Sequence, residues 1–284
     1  MLSTSTYTST SKAKSLFRKI VFLFALAIST LAQSQRLVTA NGVEIDLQLA
    51  SSTPGPVILY VPGCNGLDVI GRAYQAFHKE EIRKRWPETH LVLVQAVNML
   101  TQGSQMGACD WKNDHPKYKA KGIDSPNVHF VEQIKVVREW INQQPWAQQQ
   151  AVHLFGFSAG GSMGMHLAGN KSQFGVFKSI ALIWPTCINS DKLKLGNLHT
   201  PTKIWATESD PLSRAQECHK SYEGGHELLE LHLWPGDLHS WMTHPMVPKS
   251  ERFWPRANVT VKHQFVKEYN DKTWDQWVEW AKSK

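Results

Sequence analysis

The sequence lacks several features that would place it outside the ordinary folded classes. Only 19% of its 284 residues are charged and 42% are hydrophobic, a balance that excludes disordered, collagen-like and coiled-coil chains. Its mostly apolar run at residues 20–31 falls short of the roughly 20 residues that a membrane-spanning helix needs. Cysteines are few, and none of the spacings among Cys64, Cys109, Cys187 and Cys218 is C-x-x-C, which removes the zinc ribbon and the thioredoxin-type dithiol. His226-Glu227 has Glu230 where a zinc-binding H-E-x-x-H helix needs its second histidine, so no metal is expected. No internal repeat or low-complexity linker interrupts the chain.

What is present begins with Lys12, Lys14, Arg18 and Lys19 ahead of the apolar run, with Thr30 and Ala32 as small residues after it. This pattern predicts a secretory signal peptide over residues 1–32, cut near Ala32, and no stable membrane anchor afterwards. The mature chain would be residues 33–284, a single domain in the periplasm or outside the cell. Removing those four positive charges reduces the formal net charge from +7 to +3. The remaining basic cluster, Arg83-Lys84-Arg85, follows Glu80-Glu81 in a predicted helix and reads as a solvated face rather than a nucleic-acid patch. All four cysteines would reach an oxidising compartment, so two disulfides are expected, and the sequence allows three pairings.

Apolar runs alternate with helical patterns along the chain, which predicts α/β architecture: a mostly parallel central sheet with helices on both faces. Residues 37–40 and 43–49 flank Asn41-Gly42 and predict a hairpin that gives the sheet an antiparallel N-terminal edge. Buried strands are expected at 57–61, 91–94, 151–155, 178–184, 203–206 and 229–234, and helices at about 67–86, 128–141 and 273–282. Residues 100–126 are polar and too long for a simple connection, as functional loops tend to be.

The stretch Gly156-Phe157-Ser158-Ala159-Gly160-Gly161 is a G-x-S-x-G pattern directly after a predicted strand and before a helical run, the form of a nucleophile elbow. Chance matches to the pattern alone arise about 0.1 times in a chain of this size, and the strand-turn-helix setting adds the context the motif requires. A serine hydroxyl needs a histidine to take its proton and a carboxylate to orient that histidine. Downstream strands lead into Glu208-Ser209-Asp210-Pro211 and Asp237-Leu238-His239, in the order serine, acid, histidine. Asp210 is preferred to Glu208 and Asp237, and His239 to His244. His226 and His232 read as surface and strand residues, and His153 as a satisfied strand residue. The backbone N–H groups of Ala159 and Cys64, with Asn65 as the fallback, are candidates for an oxyanion hole.

Pro62-Gly63-Cys64-Asn65-Gly66, the Ser158 motif, Asp210-Pro211 and His239 together resemble the dienelactone hydrolase family of the α/β-hydrolase superfamily, over nearly all of the mature chain. The resemblance implies an α/β-hydrolase fold and a carboxylic ester or lactone hydrolase without cofactor, acting on small molecules, with Ser158, Asp210 and His239 at the triad positions. The dienelactone hydrolases proper use a cysteine nucleophile, and Ser158 turns the expectation towards a general serine esterase. Placed on that fold, Cys187 would pair with Cys218 and Cys64 with Cys109. A peptidase or acyltransferase, or a non-catalytic binding protein with a vestigial triad, are the alternatives. Trp184, Trp205 and Trp241 are candidates for a pocket wall, although core packing is the expected role of most tryptophans.

Overall fold

A computed structural model describes residues 35–40, 43–63, 69–94, 126–169, 177–187, 195–254 and 258–284. The signal-peptide segment, Asn41-Gly42, Cys64, Asn65, Cys109 and most of the loop at 100–126 lie outside the described residues. Residues Arg36–Lys284 form one compact unit.

The strands of the main sheet are β1 (Gln35–Ala40), β2 (Val43–Gln48), β3 (Gly55–Val61), β4 (His90–Val94), β5 (Ala147–Phe157), β6 (Ser179–Ile183), β7 (Thr202–Thr207) and β8 (Leu229–Trp234). They lie in the order β1-β2-β4-β3-β5-β6-β7-β8. β2 is antiparallel to β4, and every pairing from β4 across to β8 is parallel. Helices α1 (Val69–Arg85), α2 (Pro126–Asn142), α3 (Ala159–Gly169) and α4 (Lys267–Ser283) cover the sheet.

The alternation of side chains along each central strand builds two separate cores. Val57, Leu59 and Val61 of β3 point to one face and pack with Val131, Ile134, Val137 and Ile141 of α2 and with Met163 and Leu167 of α3. Ile58 and Tyr60 point to the other, where Ile82 of α1 and Trp274, Trp277 and Val278 of α4 close over them. Burial on both faces explains why the central strands read as unbroken apolar runs. Most tryptophans belong to this second core, and Thr273 Oγ1 accepts from the indole N–H groups of both Trp234 and Trp241, at 3.1 and 3.2 Å.

Two differences from the sequence reading have simple causes. β5 begins at Ala147, which pairs with Gly55 of β3, whereas the sequence pattern starts at Ala151 because Gln148, Gln149 and Gln150 are exposed and offer no apolar signal. The cluster Arg83-Lys84-Arg85 is not one solvated face. Arg83 donates to the carbonyls of Gln48 and Thr89, Arg85 binds Glu81 and Asp275, and only Lys84 is exposed. The two arginines therefore fasten α1 to the sheet and to α4.

A second sheet follows the main one. β9 (Leu238–Ser240), β10 (Ser250–Trp254) and β11 (Val259–His263) lie in the order β10-β11-β9, with β10 antiparallel and β9 parallel to β11.

Three histidines are held neutral by the fold, which predicts acid sensitivity. Burial lowers His78, His153 and His263 to about 4 each, with the cations Lys178 beside His153 and Arg252 beside His263 acting in the same direction. Their unfolded values lie near 6.5, so between those limits the unfolded chain binds protons that the folded chain excludes. Stability is present above about pH 6.5 and is lost as pH falls towards 4. Each histidine is expected to remove about 1–2 kcal/mol between pH 7 and pH 5. Urea unfolding across that range should show stability dropping by several kcal/mol; a flat profile would contradict the assignment.

Candidate active site

β5 runs into Ser158 and α3 begins at the next residue, so the serine occupies the bend between strand and helix. Its φ of 46° lies in the left-handed region, a strained conformation for a residue with a side chain. The bend is possible because the chain segments around it approach too closely for side chains. A Cβ at Gly156 would sit 2.6 Å from the Gly160 carbonyl oxygen, and one at Gly160 would sit 2.3 Å from that of Val61. The Ser158 N–H donates to Ile183 O at 2.9 Å, which fixes the bend against the end of β6. Ser162, one turn into α3, donates its hydroxyl to Ser158 O and accepts from Thr186 N, coupling the bend to the loop after β6.

The other two side chains come from the ends of β7 and β8. Asp210 lies three residues past β7, with Leu212 N–H donating to its Oδ1 at 3.0 Å. His239 sits in β9, beyond a turn in which Gly236 takes φ 102°. Three hydrogen bonds zip the two loops together: Glu208 N to Trp234 O, Ser209 N to Gly236 O, and Thr207 Oγ1 to Leu238 O. Opposite β11 the register steps from Leu238 to Ser240 while the partner advances only from Lys262 to His263. His239 is thus the extra residue of a bulge, a device that re-aims a side chain.

The result is a continuous chain of contacts. Ser158 Oγ lies 3.1 Å from His239 Nε2, and His239 Nδ1 lies 2.8 Å from Asp210 Oδ2. A carboxylate only accepts, so Nδ1 carries the hydrogen and Nε2 is the acceptor facing the serine hydroxyl. Asp210 is 2% and His239 4% exposed, so water does not compete for their contact. Trp184, itself at φ 40°, lies 6.2 Å from the His239 ring and 4.8 Å from that of Trp241, and borders the site. Trp205 and Trp241 are fully buried in the core.

The rival residues are elsewhere. Glu208 is exposed, Asp237 pairs with Lys262 at 2.5 Å, and His244 accepts from Met246 N while its ring meets Phe77 edge-on. His153 bonds Ser179 within the sheet, and His232 stands on β8. Ala159 is buried at the first position of α3, where an α-helix provides no internal acceptor for its N–H. Cys64, the other oxyanion candidate, lies outside the described residues, as does Cys109. Cys187 and Cys218 form a disulfide, joining the loop after β6 to the 3₁₀ helix Ala215–Ser221 that follows Asp210. Among the described residues no group of three or more His, Cys, Asp or Glu side chains could hold a metal ion, and no helix is long and apolar enough to cross a membrane.

The sequence reading missed the sheet β9-β10-β11 and the ring of His263, which stands edge-on to His239 at 5.8 Å. Val259-Thr260-Val261-Lys262-His263 carried a signal for β11, in that three successive β-branched residues open it and apolar Val259 and Val261 alternate with polar Thr260 and Lys262.

No protein-family model and no curated protein matches the chain. Solved structures do resemble it. A candidate dienelactone hydrolase from Klebsiella pneumoniae superposes with a TM-score of 0.56 at 12% identity, covering 88% of this chain and 98% of its own. An esterase/lipase from an uncultured bacterium gives 0.54 at 14%, covering 88% and 84%. A thermophilic carboxylesterase cloned from a metagenomic library gives 0.53 at 14%, covering 90% and 92%. With the sheet order, the parallel crossovers and helices on both faces, these likenesses establish that the chain has the α/β-hydrolase fold.

Proposed function

We propose that the protein is a serine hydrolase that cleaves small carboxylic esters or lactones through an acyl-enzyme on Ser158. The observation that carries this reading is the contact chain Ser158 Oγ to His239 Nε2 to Asp210 Oδ2, at 3.1 and 2.8 Å. Ser158 Oγ attacks the ester carbonyl carbon while its proton passes to His239 Nε2. The carbonyl oxygen becomes an oxyanion, received by Ala159 N–H, with the N–H of Cys64, or in its place that of Asn65, as the second donor expected from the sequence. Collapse of the tetrahedral intermediate expels the alkoxide, which takes the proton back from His239. Water then attacks the acyl-enzyme, giving its proton to His239, and the second intermediate collapses to the free acid as His239 passes that proton to the departing Ser158 Oγ. Asp210 holds the imidazole in the required tautomer throughout and supports it when it is cationic.

Three of the structural neighbours are described as two esterases and a candidate dienelactone hydrolase, which supports an ester substrate. The buried, fully connected contact chain speaks against a vestigial triad. Residues 33–284 would be the mature single domain, exported to the periplasm or beyond the cell, and the Cys187–Cys218 disulfide supports an oxidising destination. No cofactor enters the proposed steps.

Pre-steady-state hydrolysis of a p-nitrophenyl ester tests the reading. A burst of p-nitrophenolate close to one per protein molecule is expected before the steady rate; turnover without any acyl-protein accumulating under acid quench, even with a poorly deacylating ester, would contradict it.

The disulfide yields a further expectation. It closes a 31-residue separation and contributes up to about 3.5 kcal/mol in the chain-entropy model. Cys187 N–H also donates to Ser213 O, so the bridge braces the Asp210 loop rather than the sheet. Reduction should lower ester turnover under conditions where far-ultraviolet circular dichroism is unchanged. Simultaneous loss of turnover and secondary structure would count against that role.

A further inference from the structure

We propose that His78, far from the reacting groups in sequence, is a positioning residue that holds the His239 loop in register with the nucleophile strand. The inference rests on Ser158, His239 and Asp210 being the reacting set. His78 projects from α1 into the second core and is 3% exposed. Its Nε2 lies 2.7 Å from Met242 O, and its Nδ1 lies 2.8 Å from Tyr60 Oη. A carbonyl only accepts, so Nε2 carries the hydrogen; in the neutral ring Nδ1 is then the acceptor and the Tyr60 hydroxyl donates. One face of the ring stacks on Phe157, with centroids 4.4 Å apart and planes 14° from parallel. A ring with both nitrogens engaged and one face stacked cannot turn without breaking a buried hydrogen bond.

The placement of these partners gives the arrangement its consequence. Phe157 immediately precedes Ser158, and Met242 lies three residues after His239. On the N-terminal side, the loop is tied to the main sheet by Thr207 Oγ1 donating to Leu238 O. On the C-terminal side, the carbonyl of Ser240 is taken by Gln264 N–H just after β11 and that of Trp241 by Val266 N–H at the N-cap of α4, and the Trp241 indole N–H donates to Thr273 of α4. Beside the edge-on contact of Phe77 with His244, His78 adds the buried hydrogen bond that ties this side to α1, and through Tyr60 to β3. It touches both the strand carrying the serine and the loop carrying the histidine, so it fixes the separation that the 3.1 Å Ser158–His239 contact requires. Displacements of about 1 Å caused by residues remote from the chemistry cost on the order of 100-fold in rate.

The test compares three variants by p-nitrophenyl acetate kinetics, thermal unfolding and the low-field proton resonance of His239 Nδ1–H against Asp210. His78→Phe keeps the stack on Phe157 but has no donor for Met242 O. It should lose about 30–100-fold in kcat with KM within about threefold, and the resonance should broaden or vanish. His78→Gln places an amide N–H near the Nε2 position and should recover kcat to within about fivefold of wild type, with the resonance restored. Tyr60→Phe frees Nδ1 and should lose about 3–10-fold in kcat with KM unchanged; it carries the test if His78→Phe does not fold. Wild-type kcat and an intact resonance in all folded variants, whatever their melting temperatures, overturn the proposal, as does a His78→Gln variant as impaired as His78→Phe. Absence of turnover in the wild type would count against the Ser158 reading instead, and the resonance would still decide the positioning role.

Discussion

Replacing Ser158 with alanine is expected to reduce kcat for a small activated ester by at least about 10⁴-fold while leaving the fold intact. The effect is large because in the proposed mechanism Ser158 Oγ is the bond-forming atom, and neither His239 nor Asp210 can substitute for it. The structural cost is small because the contact of Oγ that the substitution removes is the one to His239, while the backbone bonds from Ser158 N to Ile183 and from Ser162 to Ser158 O remain. His239→Ala should produce a loss of similar order, and the two losses should not multiply in the double variant, since the residues act as one unit. Steady-state kinetics of the three variants, with melting temperatures alongside, check both points. Retained turnover in Ser158→Ala would remove the serine from the mechanism.

Gly160→Ala is expected to be the most damaging single-methyl change near the site. Alanine is favoured over glycine by about 1 kcal/mol in a helix interior, so propensity alone predicts a more stable protein. Packing decides otherwise. The new Cβ would lie 2.3 Å from Val61 O and 2.6 Å from Pro62 O, and both contacts are backbone that cannot rotate away. Relief requires α3 to move off the end of β3, which breaks the close-packed layer between them. A loss of more than about 4 kcal/mol, or failure to fold, is expected. Gly161→Ala is the control, because its Cβ would meet atoms no nearer than 3.3 Å and small adjustments suffice. Urea unfolding of both variants measures the contrast; near wild-type stability for Gly160→Ala would contradict the close approach.

What the sequence revealed follows from how each feature is encoded. β3 and β4 are buried on both faces and therefore appear as continuous apolar runs. The Ser158 bend is written in contiguous residues because glycine is demanded at fixed positions around it. Asp210 and His239 are not adjacent to it, yet both follow strands of the same sheet, so strand order pointed to their two loops, and Asp210 was preferred to Glu208 because it lies further past the end of β7. The small sheet was not anticipated because β9 is three residues long and β10 is almost wholly exposed, leaving little periodicity to read. His78 was invisible for a different reason. Its partners Tyr60 and Met242 lie 18 and 164 residues away, and a lone histidine on a helix carries no sign of which long-range bonds it makes. The exposed face assigned to Arg83 and Arg85 failed similarly, since their acceptors are supplied by a strand end and by the C-terminal helix.

The central claim is that the Ser158 hydroxyl is activated by His239. Its most direct test is treatment of the folded protein with a fluorophosphonate, followed by peptide mapping. One adduct per molecule is predicted, on Ser158, forming far more slowly in His239→Ala. Absence of an adduct from the folded wild-type protein, or an adduct on a different residue, would contradict the account.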